Sequence, residues 1–426
     1  MSGREGPVLA GRRRAMGKML GASLVAGLPA FGRANAAQIA PRVADGLPDG
    51  RICVLSYSTA PLPPAAVGGA SAAIAVLSVN GEAPAYASSD SPNLHDLVVP
   101  ASNPEGSIFA IGHEARELIE VFSNDFTRRE SRRYTGVTFR GHGLAYGAGA
   151  LIAAESSTSP IEGGWLLYLD ATGKEITRVA TGGIRPHDVV DCGDWIAVAH
   201  YGNRPQGPNA GSAGSACNLL FDVAAPSVAF LDKRTLAVES NWALPSDGVA
   251  THLCPDGEGA VLVMQMQAQR LSCFQADQVT TALAQVRDSA SLLPVELESG
   301  LFELPLPVYR VDRLKGVTTK FDTSATMQRR GQSFARSESL GLSVATFAAS
   351  QTLWMKWDGW DRPEVRSSLR FGVPDPRGCT FLGGGALLAV SGNDNNVAII
   401  EPKSARLLTI IPAVLGRHSH IRHLAT

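Results

Sequence analysis

Apolar residues along this chain fall in short runs of five or six, broken by turns rich in Gly, Asn and Asp. The clearest unit spans residues 141–179. It comprises Gly141-His142-Gly143-Leu144-Ala145, then Gly149–Ala154, then Trp165–Asp170, a hairpin at Ala171-Thr172-Gly173-Lys174, and Glu175–Val179. Short apolar runs bounded by turn residues read as strands. Four such strands with an Asp-x-Thr-Gly turn in one unit follow the plan of a propeller blade.

The unit recurs. Leu97-Val98-Val99, Ser107–Ile111 and Glu117–Phe122 precede it. Trp195–Ala199 and Ser227–Asp232 follow it, then Gly259–Met264 and Val308–Val311. A poorer match runs from about Ser333 to Phe371, with its start placed near Ser337-Glu338-Ser339. The next contains Ala386–Val390, Val397–Ile400 and Leu407–Ile411. The strand Ser419–Leu424 begins one more unit, which Arg51–Ser56 and Ala72–Leu77 can complete from the other end of the chain. The expected fold is therefore all-β: a single β-propeller of seven blades over residues 37–426. Loop insertions are expected near 202–222 and 267–306, the second with a short helix at Ala276–Arg287.

Several units open on a histidine. His95, His142, His187 and His252 each stand just before an apolar run, and the first three lie 47 and 45 residues apart. Innermost strands line a propeller's central channel, so these four rings are expected to converge at its mouth. Neutral imidazole suits Zn, Cu, Fe and Ni. The competing reading is that each ring only ties neighbouring strands together. Cys379 is placed at the equivalent position of a later unit. His418 and His420, two apart on a strand, would share a face. An alternative acid–metal cluster of lactonase type combines Glu155, Asp188 and Asn218. No serine-hydrolase, zinc-protease or phosphate-loop motif is present. Trp354, Trp357 and Trp360 cannot share one strand face and read as blade packing plus a turn. The cluster Arg128, Arg129, Arg132 and Arg133 reads as a solvated hairpin or a contact for an anion.

Net charge is −1, which gives no global case for nucleic acid or an anionic membrane. The six cysteines form no Cys-x-x-Cys, and fit either disulfides or buried thiols. At the N-terminus Arg13-Arg14-x-Met16-x-Lys18, a Gly- and Ala-rich apolar stretch and Ala34-Asn35-Ala36 match a twin-arginine signal peptide with an Ala-x-Ala cleavage site. Residues 1–36 are expected to be removed on export to the periplasm. The apolar stretch is too short to span a bilayer, and no membrane span is expected in the mature chain.

Gly141-His142-Gly143, Gly183-Ile184-Arg185-Pro186-His187-Asp188, Asn218-Leu219 with Pro226–Asp232, and His252-Leu253 together resemble a bacterial family of exported, WD40-like proteins, DUF1513. The resemblance covers roughly residues 50–420. It implies a periplasmic seven-bladed propeller whose relatives accompany imelysin-like proteins and dihaem oxidoreductases of iron or haem uptake. It supplies no activity. The expected function is a non-catalytic binding protein carrying iron, copper or haem on its channel histidines. A metal-dependent hydrolase and a pure interaction scaffold are the alternatives.

Overall fold

The computed structural model describes residues 50–57, 72–79, 82, 84–91, 94–100, 106–127, 129–159, 163–202, 225–270, 301–321, 328–393, 396–412 and 417–424. The expected signal peptide, the loop expected at Pro61–Pro64, the insertion expected near 202–222 beyond Gly202 with its Asn218, and the helix expected at Ala276–Arg287 lie outside them.

The described residues form antiparallel sheets: five of four strands, one of six and one of two. The sheet Gly331–Ser337, Leu342–Phe347, Thr352–Trp357 and Glu364–Ser367 shows the common order, each strand pairing with the next. Seven strands contact one another in a closed ring: Leu94–Val98, Arg129–Tyr146, Pro186–Asp191, Val249–Pro255, Gly331–Ser337, Pro376–Leu382 and Arg417–Leu424. The ring is a β-propeller, with these as its innermost strands.

Its sequence logic is clearest in Gly149–Ser156, which is buried along its whole length. Successive side chains on a strand point to opposite faces. Ala150, Ile152 and Ala154 pack against Val98, Phe109 and Ile111 on one side. Leu151 and Ala153 pack against Val189, Ile196 and Val198 on the other. A strand sandwiched between two neighbouring sheets needs apolar residues on both faces, hence the unbroken run. The outer strand Glu175–Ala180 has one free side and is half exposed. Asp170 organises the hairpin before it: Oδ1 accepts from the amides of Thr172 and Lys174, both at 2.9 Å.

The ends of the chain close the ring as expected. Arg417–Leu424 pairs with Arg51–Tyr57, setting Ile421 opposite Val54 and His423 opposite Ile52. The six-stranded sheet runs Leu94–Val98, Ser107–Ser123, Arg129–Tyr146, Gly149–Ser156, Gly164–Leu169 and Glu175–Ala180. Its register breaks between Arg116 and Leu118, and again between Phe139 and Gly143. Two successive repeats are joined there.

Among the described cysteines, Cys53, Cys192, Cys254 and Cys379 are buried free thiols. Trp354 is buried and Trp360 exposed, as packing plus a turn requires. Arg129 pairs with Asp90 and Glu120, and Arg132 with Glu130. No helix among the described residues is long and apolar enough to cross a membrane.

Candidate metal centre

Every innermost strand is irregular at the same level. Leu94 pairs with Gly112, but Asp96 pairs with Ile111, leaving His95 as an extra residue. His187 is the extra residue between Pro186 and Asp188, Gln332 that between Gly331 and Ser333, and Arg377 that between Pro376 and Gly378. Shifts between Ala250 and Leu253, Phe139 and Gly143, and Ile421 and His418 bracket His252, His142 and His420. A bulge re-aims a side chain out of the pleat. Here seven bulges face one axis, and five of them carry imidazole.

This corrects two expectations. Cys379 lies two residues beyond the axial position, which is Arg377; its thiol reaches Val344 O at 3.7 Å. The poorly matched unit begins at Gly331, with Gln332 as its axial residue, and Ser337 ends that strand. Arg377 Nη1 donates to Gln332 Oε1 at 2.9 Å and Nη2 to Asp375 at 2.9 Å. These two residues complete the arc that the histidines leave.

The sequence-predicted histidines do converge, and two more join them. His95 Nε2 lies 3.1 Å from His142 Nε2 and 3.2 Å from His420 Nε2. The ligand atoms of His95, His142 and His420, and those of His142, His187 and His252, lie within 4.8 Å of one another in each trio. His113, from Ser107–Ser123, sits beside them with its ring 5.3 Å from His95 and 5.5 Å from His187. His142, His187, His252 and His420 are only 2–6% exposed. His142, His252 and His420 line one end of a channel of about 570 Å³, which continues past Arg336 and Glu338.

Glycine makes the closest approaches possible. A Cβ on Gly141 would stand 2.6 Å from the His95 ring, and its φ is +100°. One on Gly143 would meet Ile152 at 2.6 Å and Val98 at 2.8 Å. The Gly-His-Gly motif is therefore steric on both sides of its histidine.

Carboxylates stand behind the rings. The repeated His-Asp dipeptide gives Asp96 and Asp188, each accepting the next residue's amide at 2.8 Å. Asp96 takes two hydrogen bonds of 2.6 Å from Arg422 and lies 3.2 Å from His142 Nδ1. Asp188 accepts from Leu253 N at 2.8 Å and lies 3.7 Å from His142 Nδ1 and 3.9 Å from His252 Nδ1. Beside Asp96, which Arg422 holds by two hydrogen bonds, His142 donates from Nδ1 and presents the Nε2 lone pair to the cluster. A carboxylate behind a ligating histidine is the common way of fixing tautomer and orientation.

Burial is the first cause of every imidazole shift. It drives His95 down to about 4, against the pull of Asp96, and His252 down to about 3. His113, His142, His187 and His420 are held well below the ordinary range by burial and by one another, with Arg140 adding to the effect at His113. All six are neutral at pH 7, the form that binds metal. Burial pushes Asp188 up to about 7, against the two amides it accepts.

The donor set fits a metal ion. Nitrogens about 2.0–2.1 Å from a tetrahedral centre lie about 3.3 Å apart, close to the 3.1 and 3.2 Å seen here. In the second trio, His187 Nδ1 is buried without a hydrogen-bond partner, an expensive arrangement unless a ligand satisfies it.

The alternative acid cluster does not assemble in this way. Glu155 lies 3.5 Å from Arg140 Nη1 and 3.2 Å from Arg185 Nε. Among the described residues, the two metal-capable trios contain no carboxylate. Asn218 is outside the described residues. His200 shows the strand-tying role instead, with Nε2 2.9 Å from Thr181 Oγ1 and Nδ1 3.3 Å from Ser227 Oγ.

No family model and no curated protein matches the sequence. Solved structures similar to it include the periplasmic gluconolactonase PpgL of Pseudomonas aeruginosa. That match has 11% identity and a TM-score of 0.54, covering 89% of this chain and 99% of that one. A Lactobacillus plantarum protein matches at 12% identity and a TM-score of 0.52, covering 89% and 100%. Kuenenia stuttgartiensis hydrazine synthase matches at 9% and 0.51, covering 77% and 89%. At such identities the likeness shows the fold, a β-propeller, and nothing of the site.

Proposed function

We propose that this chain is a periplasmic seven-bladed propeller that binds one transition-metal ion on its axial imidazoles. The seven axial bulges, five bearing histidine, carry this reading. His95, His142 and His420 supply the closest nitrogens, and His187 and His252 stand next to them. His142 has one nitrogen to offer, because Asp96 takes the other, so the two trios that share it compete for a single ion. An all-imidazole set suits Zn, Cu, Fe or Ni. The axial rings pack at 4.4–6.4 Å between centroids, which favours an ion over a porphyrin inside the cluster.

The reading is of a binding protein. Glu155 is held by arginines and Asp188 by backbone amides. The likeness to a gluconolactonase therefore supports a shared scaffold and not shared chemistry. Twin-arginine export, removal of residues 1–36, and partnership with imelysin-like or dihaem proteins of iron uptake rest on the sequence motifs and the family resemblance.

The test is elemental analysis with an absorption spectrum on protein exported through its own signal and purified without a His tag. About one equivalent of metal, lost in a His142→Ala/His187→Ala double variant that keeps its β-sheet circular dichroism, is the expected result. A wild-type chain that takes up none of Cu2+, Zn2+, Ni2+ or Fe2+ overturns the reading.

A further inference from the structure

The channel beside the axial histidines has a wall that metal binding does not use. Two residues beyond the axial position, six innermost strands place Leu97, Leu144, Val189, Cys254, Phe334 and Cys379, and the seventh places Arg422. All line the channel. Six are apolar or carry a thiol, and one is a cation. The volume of about 570 Å³ falls within the range of about 300–1,000 Å³ usual for small-molecule sites.

Arg422 stands beside the metal ligands, because Asp96 accepts from both Arg422 and His142 Nδ1. Its side chain is 41% exposed. Nε and Nη2 bond Asp96, and Nη1 has no hydrogen bond among the described residues. Arg336, also in the channel wall, differs. All three of its nitrogens donate, to Glu338, Asp358 and Ser343. Only Arg422 thus keeps a donor for a second carboxylate.

The other charges decide when an anion can enter. Asp96 offsets Arg422, and Asp188 accepts two backbone amides. Lys233 offsets Asp191, while Arg336 faces both Glu338 and Asp358. Arg377 is paired with Asp375, and Arg140 and Arg185 share Glu155 outside the channel wall. Each cation of the channel is matched by a carboxylate, so the metal-free channel offers an anion no net positive charge. A divalent ion on the axial nitrogens supplies it.

We propose that the channel binds an organic carboxylate, with its acid group facing the metal ion and Arg422 and its apolar body along the wall. The inference rests on the metal-binding reading above. Because the anion needs the ion, the two are coupled: the carboxylate raises metal affinity by the factor by which the metal raises carboxylate affinity.

The experiment is calorimetric titration of acetate, butyrate and hexanoate into the Zn2+-loaded and the metal-free full chain. The loaded chain is expected to bind hexanoate about tenfold more tightly than the metal-free one, with affinity rising about fourfold per added methylene. Ala145→Trp fills an exposed position of the channel wall, and should weaken hexanoate about tenfold at unchanged Zn2+ content. Arg422→Lys keeps the charge beside Asp96 and loses the fork, and should weaken all three acids about tenfold. Equal binding with and without Zn2+, a flat affinity along the series, or wild-type hexanoate affinity in either variant would overturn the proposal. A wild type that takes up no Zn2+ fails earlier, at the metal reading itself, and elemental analysis before titration tells the two failures apart.

Discussion

Asp96→Asn tests the link between the closure of the ring and its centre. Asp96 is fully buried and accepts four donors. Oδ1 takes Leu97 N and Arg422 Nε, while Oδ2 takes His142 Nδ1 and Arg422 Nη2. An amide of the same shape has one acceptor oxygen, so its NH2 must face two of these donors. Arg422 lies on the last strand, and the pair it makes spans 326 residues of sequence. Breaking a buried ion pair costs about 3–5 kcal/mol. The Arg422 side chain is 41% exposed, so water can recover part of its charge, and we expect about 2 kcal/mol. That is about a 30-fold change in the folding equilibrium. Urea unfolding of metal-free protein measures it. Metal affinity is expected to fall about 10–100-fold as well, because His142 loses the acceptor that fixes its tautomer. A stability loss under about 0.5 kcal/mol, with affinity intact, would refute the reasoning.

Three further outcomes follow from the same geometry. Gly141→Ala places a Cβ 2.6 Å from His95 at a φ of +100°, and should cost about 1–3 kcal/mol and weaken metal binding with every ligand still present; unaltered Zn2+ affinity by competition titration would contradict this. Acid should destabilise the metal-free protein: the axial histidines have folded pKa values below the unfolded value of about 6.5, so the stability present above that pH is lost as it falls towards 4, by up to about 1.4 kcal/mol per pH unit for each ring. Asp188, raised to about 7, works in the opposite sense between about 4 and 7 but counts once against the five axial rings; a urea midpoint that is flat or rising from pH 7 to 5 would refute the sign. His200→Ala should destabilise by about 1–3 kcal/mol through the hydroxyls it leaves unpaired while leaving metal content unchanged, and loss of metal would move His200 into the site.

How much of this was legible follows from where each signal is written. The strands show in the sequence because blades pack on both faces, so Leu151 and Ala153 must be as apolar as Ala150 and Ile152. The exposed outer strands Val238–Ala243 and Gly316–Phe321 carry no such constraint and went unread. His95, His142 and His187 are visible through their spacing, and His252 through its place before an apolar run. His420 shows in the sequence only as one of a pair with His418 on a shared strand face, and not as a member of the axial set, because the strands that complete its unit are at the other terminus. Cys379 was chosen for its side chain, yet the repeat is written in the backbone. Positions 142, 187, 332 and 377 all follow Gly or Pro, and the gaps of 45 from 332 to 377 and 43 from 377 to 420 match the 47 and 45 of the first units. A search for the bulge, not for histidine, would have found Gln332 and Arg377. His113 obeys neither period nor bulge, since it enters from a neighbouring strand. An imidazole placed there without help from the repeat is therefore one whose presence the fold alone does not explain.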